Sequence, residues 1–267
     1  MNINFTNKST FRKMALSSIL LPLLSFNQAY ASEEQTPLSS AISANVTNDV
    51  AISSPSEKSK QSLMTKLGKL AFFSANFNQK ILNEQGEVLQ KGAGSLAISK
   101  PNLVNWKTTS PDETLIVSDG NTLWFFDPFI EQASAYSLAK SIHNTPILLL
   151  TSDEPKLWQQ YTVVEMNVVE MNVIEGDVEK QKNSDNKGLR YVVIPKDETS
   201  QIKKLTLSFT EKTVNEVTLI ELSQFSFEDA TGQVSQIILS NFNSQTKPAA
   251  ALFTFNLPEG VRLEDKR

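Results

Sequence analysis

The chain contains no cysteine and one histidine, and only nine of its 267 residues are glycine. Without cysteine there is no thiol nucleophile, no thiolate metal site and no disulfide, so the core alone must hold the fold. The same absence rules out anchoring through an acylated N-terminal cysteine. A single histidine, His143, leaves a Ser-His-Asp relay only one possible base, and no Gly-x-Ser-x-Gly elbow offers the nucleophile. His143 precedes Asn144-Thr145-Pro146 and reads as a solvated turn residue. There is no glycine-rich phosphate loop. The adjacent pairs Asp112-Glu113 and Asp153-Glu154 diverge in space and are loop or helix-start charges, not metal ligands. A glycosidase-type carboxylate pair needs no such motif, and sequence alone leaves it open. We expect no enzyme activity, no metal and no cofactor.

Long apolar runs are also missing. The one candidate, Ala15 to Leu24, follows Lys8, Arg12 and Lys13 and precedes Ala29-Tyr30-Ala31. That is the layout of a secretory signal peptide over residues 1–31, too short for a membrane span of about 20 residues. An uncleaved anchor is the alternative, and no second apolar segment accompanies it. Three of the 25 basic residues lie in this leader and none of the 29 acidic ones does, so the mature chain is more acidic than the whole. An acidic chain with no basic run is unsuited to nucleic acid or to an anionic membrane surface. We expect an exported, soluble, monomeric protein.

What remains divides into a Ser/Thr/Asn/Ala/Pro-rich linker over 32–57 and one domain over 58–267. Leu63, Leu67 and Leu70 recur at helical spacing and predict a helix from Lys58. Strands follow. Phe73-x-Ala75-x-Phe77 alternates, and Val88 to Ile98 carries Gly92 and Gly94, which permit a sharp bend. Lys100-Pro101-Asn102 is a corner before the Trp106 strand. Asp119-Gly120 predicts a type I′ hairpin between Leu115-Ile116-Val117 and Leu123-Trp124-Phe125-Phe126. The latter strand is apolar on both faces, so it has apolar matter on each side. Glu131 to Leu138 reads as a further strand.

The pattern then breaks. Thr145 and Pro146 suit a helix start, Ile147 to Leu150 is a wholly apolar turn, and Asp153 to Trp158 suggests a second short helix. Strands resume over Tyr161 to Ile174, Leu189 to Pro195, Lys203 to Phe209, Glu216 to Phe227 and Val234 to Phe242, with a short helix at Pro248 to Leu252 and a last strand at Phe253 to Phe255. Val163-Val164-Glu165-Met166-Asn167 is repeated at once as residues 168–172. The repeat lengthens a hairpin whose tip is the polar run 179–188. Short strands around one interrupted helical segment make the fold class mainly β (α+β), a curved antiparallel sheet or a barrel.

Eight and more short matches stand in order. They are Phe77-Asn78-Gln79-Lys80, Lys100-Pro101-Asn102-Leu103-x-Asn105-Trp106, Pro111-Asp112-Glu113, Val117-Ser118-Asp119-Gly120, Leu123-Trp124-Phe125, Asn144-Thr145-Pro146, Trp158-Gln159-Gln160-Tyr161, Phe253-Thr254-Phe255 and Pro258-x-Gly260-Val261. In this the chain resembles the LolA family of periplasmic lipoprotein carriers, from about Leu63 to the end. The resemblance implies a half-barrel under a helical lid whose interior shelters the acyl chains of triacylated lipoproteins. It implies as partners an inner-membrane LolCDE-like ABC transporter and an outer-membrane LolB-like acceptor. On it, Leu96, Ile98, Trp106, Leu123, Phe125, Ile147, Leu148 and Leu149 become candidate cargo-binding residues of wall and lid. The residues alone are equally those of a solid core. Lys100 stands where the family commonly has arginine and is either a lid latch or a turn residue. Val104 stands where the family has an aromatic residue that contacts the transporter.

Rival readings differ in class. LolB shares the architecture but is itself a lipoprotein, which the missing cysteine opposes. A lipid-sensing periplasmic domain of an envelope-stress regulator shares the architecture too, usually with a second domain. An envelope lipid hydrolase would turn over esters.

Overall fold

A computed structural model describes residues 55–141, 145–152, 154–167, 188–214 and 217–267. The leader, residues 32–54 of the linker, His143, Asn144, Asp153, the second repeat copy and residues 179–187 lie outside them.

Helix α1 spans Pro55–Lys69 and so starts inside the expected linker. Pro55 opens its first turn, where a missing N–H is harmless, and Glu57 complements the helix dipole there. Leu63, Leu67 and Leu70 are buried as their spacing requires.

Twelve strands follow among the described residues: β1 (Phe72–Leu82), β2 (Val88–Ser99), β3 (Leu103–Ser110), β4 (Thr114–Asp119), β5 (Thr122–Asp127), β6 (Gln132–Ser137), β7 (Tyr161–Asn167), β8 (Gly188–Pro195), β9 (Ile202–Val214), β10 (Val217–Asp229), β11 (Val234–Asn243) and β12 (Arg262–Lys266). They form one sheet in the order β12-β6-β5-β4-β3-β2-β1-β11-β10-β9-β8-β7. Its edges, β12 and β7, are not bonded to each other, so the sheet curves without closing into a barrel. Three one-turn helices lie between β6 and β7: α2 (Leu138–Ser141), α3 (Pro146–Leu149) and α4 (Pro155–Trp158).

The expected apolar cover on both faces of β5 is found, and its second half comes from the far end of the chain. Leu123 points inward and is buried, and Phe125 packs against the same core. On the outer face, Trp124 and Phe126 meet Phe255, with ring centroids 5.1 Å and 5.6 Å away. The segment carrying Phe255 is a 3-10 turn, Ala250–Phe253, followed by irregular chain, not the strand expected at Phe253 to Phe255. Asn105 fixes it by donating from Nδ2 to the Leu252 carbonyl at 2.7 Å.

The true last strand, β12, pairs parallel to β6. Its sequence Arg-Leu-Glu-Asp-Lys has no buried stripe to betray it, and charged side chains on a sheet edge discourage pairing with other molecules. The other edge is protected differently. The Val163 and Glu165 N–H groups of β7 donate to the hydroxyl oxygens of Ser56 and Ser59 on α1, both at 3.3 Å. Ser62 shares a 2.7 Å hydrogen bond with the Tyr191 hydroxyl, and Lys66 pairs with Glu211 at 2.6 Å. Helix α1 therefore occupies the place of a missing neighbour strand.

The β4–β5 turn corrects the type I′ expectation. Ser118 pairs with Leu123, which centres the turn on Gly120-Asn121, and of these two only Gly120 has positive φ (96°). One positive φ, at the first central position, belongs to the II′ family. Asp119 fixes the turn by accepting from the Asn121 and Thr122 N–H groups. Burial alone would raise the Asp119 carboxyl pKa. These N–H donors, the Trp124 indole and Arg267 outweigh it, and the pKa falls below the ordinary value.

Candidate functional site

Strand register places the candidate wall residues in two adjacent rows. Ile98 faces Val104, Val104 faces Ser118, and Ser118 faces Leu123. Two residues further from the Lys100-Pro101-Asn102 corner, Leu96 faces Trp106, Trp106 faces Ile116, and Ile116 faces Phe125. Because strands alternate with period 2, each row presents one side of the sheet to the interior. Leu96, Ile98, Trp106 and Leu123 are all buried in one continuous apolar cluster, and Phe125 packs on its margin.

The same parity relocates Val104. It shares an inward face with Trp106, and its side chain is 0% exposed. It lies in the first row of the wall, between Ile98 and Ser118. An inward residue two positions from Trp106 cannot also face solvent.

Trp106 is the centre of the wall. Its ring lies 4.5 Å from Phe77 and 6.0 Å, edge on, from Phe225 across the interior. Gly94 makes that stack possible. A Cβ there would stand 2.7 Å from the Phe77 Cζ and 2.0 Å from the Lys107 carbonyl oxygen.

The cover is apolar throughout its first turn. Ile147, Leu148, Leu149 and Leu150 are all buried in the wall's cluster, as are Leu157 and Trp158 of α4. One-turn helices have almost no intrinsic stability, since nucleation costs more than a single turn returns. Burial must hold them. Thr145 occupies the N-cap of α3 without a side-chain cap bond. Backbone hydrogen bonds tie the cover to the sheet at three places: Leu138 N–H donates to the Asn121 carbonyl at 2.9 Å, Asn102 N–H to the Thr151 carbonyl at 3.4 Å, and Lys196 N–H to the Gln160 carbonyl at 2.9 Å. Thr151 in turn donates its hydroxyl to the Leu148 carbonyl at 2.8 Å. The corner thus touches the lid through its own backbone at Asn102, a left-handed position (φ 61°) that asparagine tolerates. Lys100 is half-buried beside it, with its N–H donated to the Ala71 carbonyl at 2.8 Å.

At the rim, a cleft of about 310 Å³ opens between Asn102, Gly120, Leu138 and α4. Glu154, Lys156 and Gln160 make it a polar cleft, separate in character from the apolar interior.

The structure adds residues that the motif matches did not single out. Leu205, Leu207 and Phe209 of β9, Leu222 and Phe225 of β10, and Ile237 and Leu239 of β11 complete the far wall. Alternation signals those of β9 and β11, whereas in β10 a bulge between Leu222 and Gln224 breaks it. The Asn102–Thr151 link had no such signal, because it is a backbone contact across about fifty residues.

Burial also shifts two tyrosines facing α1 and the lid. It raises the Tyr161 hydroxyl pKa, and it pushes Tyr191 up to about 12, a net rise made against the lowering effect of Ser62 and helped by Glu165 and Glu211. Both stay neutral at physiological pH. Among the described residues no cluster of His, Asp or Glu fits a metal ion, and no helix is long and apolar enough to cross a membrane.

The chain is similar in sequence to known proteins over most of its length. Residues 68–256 match the family model described as outer membrane lipoprotein carrier protein LolA. The outer-membrane lipoprotein carrier protein of Photobacterium profundum is 36% identical over 78% of this chain and 90% of its own. Those of Yersinia enterocolitica and Aeromonas salmonicida are 35% and 34% identical, each over 77% of this chain and 87% and 88% of their own. Among solved structures, a LolA superfamily protein from Nitrosomonas europaea is a more distant likeness, 14% identical with a TM-score of 0.39, covering 73% of this chain and 97% of that one.

Proposed function

The chain belongs to the LolA family of outer-membrane lipoprotein carriers, and from that premise we propose that it ferries triacylated lipoproteins through the periplasm with their acyl chains housed between wall and lid. It takes them from an inner-membrane LolCDE-like ABC transporter and yields them to a LolB-like acceptor. It is a carrier and catalyses no covalent step.

The observation that carries this reading is the lid. Ile147 to Leu150 are buried with the wall residues in one apolar cluster, yet they belong to a single-turn helix that has little stability of its own. Lifting such a cover into water would cost about 1.5–3 kcal/mol per large apolar side chain. Lifting it onto acyl chains costs far less, because apolar contact is exchanged and not lost. The cover therefore opens readily only when greasy cargo is there to meet it.

A magnitude constrains the route of transfer. Three chains of ~16 carbons at about 0.8 kcal/mol per CH₂ amount to roughly 35 kcal/mol relative to water, beyond the ceiling of about 21 kcal/mol for real affinities. Cargo thus moves from pocket to pocket without meeting water, and delivery needs only an acceptor that binds somewhat better. Ile98, Leu96, Trp106, Leu123, Phe125 and Val104 form the wall in this scheme, and Lys100 and Asn102 hold the rim.

The test is to purify the protein from periplasm and identify by mass spectrometry what it carries. Triacylated lipoprotein supports the carrier. Free phospholipid alone, or an empty protein unable to extract lipoprotein from inner-membrane vesicles, overturns it.

A further inference from the structure

Buried polar atoms are almost always paired, so the exceptions call for a reason. Among the described residues, five buried side-chain polar atoms have no partner: Asn102 Oδ1, Thr108 Oγ1, Thr114 Oγ1, Trp106 Nε1 and Trp158 Nε1. Thr108 and Thr114 are register neighbours on β3 and β4, whose hydroxyls can turn toward one another. The two indoles have no such recourse. An indole N–H is a donor only, and its ring is fixed by packing. Trp106 is 4% exposed in the second row of the wall, and Trp158 is 1% exposed on the lid. Both stand in the same apolar cluster.

We propose that the indole N–H groups of Trp106 and Trp158 donate to the carbonyl oxygens of the cargo's ester and amide linkages, so that the interior selects acylated molecules over plain hydrocarbon. The proposal rests on the carrier reading and specifies the chemistry of that same site. In this structure the two donors have no protein acceptor. A hydrocarbon leaves them so. An acyl linkage brings carbonyl acceptors into an interior that is mostly apolar. A matched donor in such a site favours the bound state, and one lost hydrogen bond is worth about threefold to tenfold in affinity.

The experiment uses the full mature protein and two synthetic probes: a dipalmitoylglyceryl-cysteine peptide with ester linkages, and the same peptide with dialkyl ether linkages. We expect the ester probe to bind about threefold to tenfold more tightly per matched indole, and the preference to shrink in Trp106→Phe and in Trp158→Phe. In the unsubstituted protein, ¹⁵N-edited NMR should show the two indole N–H resonances moving downfield with the ester probe and not with the ether. The spectrum guards against variants that fold poorly. Equal affinity for both probes with unmoved indole resonances overturns the donor role while leaving the carrier reading intact. Binding of neither probe overturns both.

Discussion

The ring of Phe255 lies 5.1 Å from the indole of Trp124, on the face of β5 that points away from the interior. One strand therefore serves two layers, with Leu123 and Phe125 lining the interior and Trp124 and Phe126 holding the C-terminal segment. Phe255→Ala uncovers both outer aromatics. We expect a loss of about 2 kcal/mol from burial and ring contact, lowering Tm by about 4–8 °C for a domain of this size. Thermal unfolding by circular dichroism reads it. An unchanged Tm would show that the segment is not held by this contact.

Gly94 supports a paired test of sterics. Gly94→Ala forces a methyl onto the Lys107 carbonyl and the Phe77 ring, with an expected cost of about 3 kcal/mol or more. Gly68→Ala meets nothing within 4 Å on α1 and should stabilise by about 0.5–1 kcal/mol. Urea midpoints decide both, and equal effects would refute the assigned crowding.

Leu148 is 0% exposed on the lid. Leu148→Glu should abolish lipoprotein uptake from inner-membrane vesicles, since a closed lid would bury an unpaired carboxylate. Far-UV circular dichroism should still report the sheet. Normal uptake would move the cargo site elsewhere.

Helix α1 guards the β7 edge with two serines. In the double variant Ser56→Ala, Ser59→Ala, the amides of Val163 and Glu165 should exchange with deuterium about tenfold faster or more, while β10 amides keep their protection. Uniform acceleration across the sheet would instead indicate general destabilisation.

Tyr191 gives the pH dependence. Its folded pKa is raised from 10.0 to about 12, with burial the leading cause. The neutral hydroxyl is favoured by folding, so the stabilisation is complete below pH 10 and is lost as pH rises from about 10 toward 12. Tyr191→Phe should flatten that alkaline decline in urea midpoint. If the variant declines as steeply as the unsubstituted protein, other groups control the limb.

Much of the site was readable because it is written in local periods. Ile147 to Leu150 announced a buried turn by composition, Pro146 its start, and the Trp106 strand its inward face by alternation. The same alternation sets Val104 on the inward face beside Trp106. The turn after β4 was placed one residue early, since Asp-Gly and Gly-Asn are both good turn pairs and only cross-strand register separates them.

What the chain determines by itself is therefore which residues turn, which alternate and which must be hidden from water, because φ restrictions and burial act over a few neighbouring residues. Which element hides which was decided only in three dimensions. β12 runs parallel to β6 with no apolar pattern to call it there. Phe255 crosses more than a hundred residues to cover Trp124, and Ser56 and Ser59 stand in for a strand that β7 lacks. Those choices come from the competition among all surfaces and edges for partners once the sheet has curved, a competition that no short stretch of sequence records.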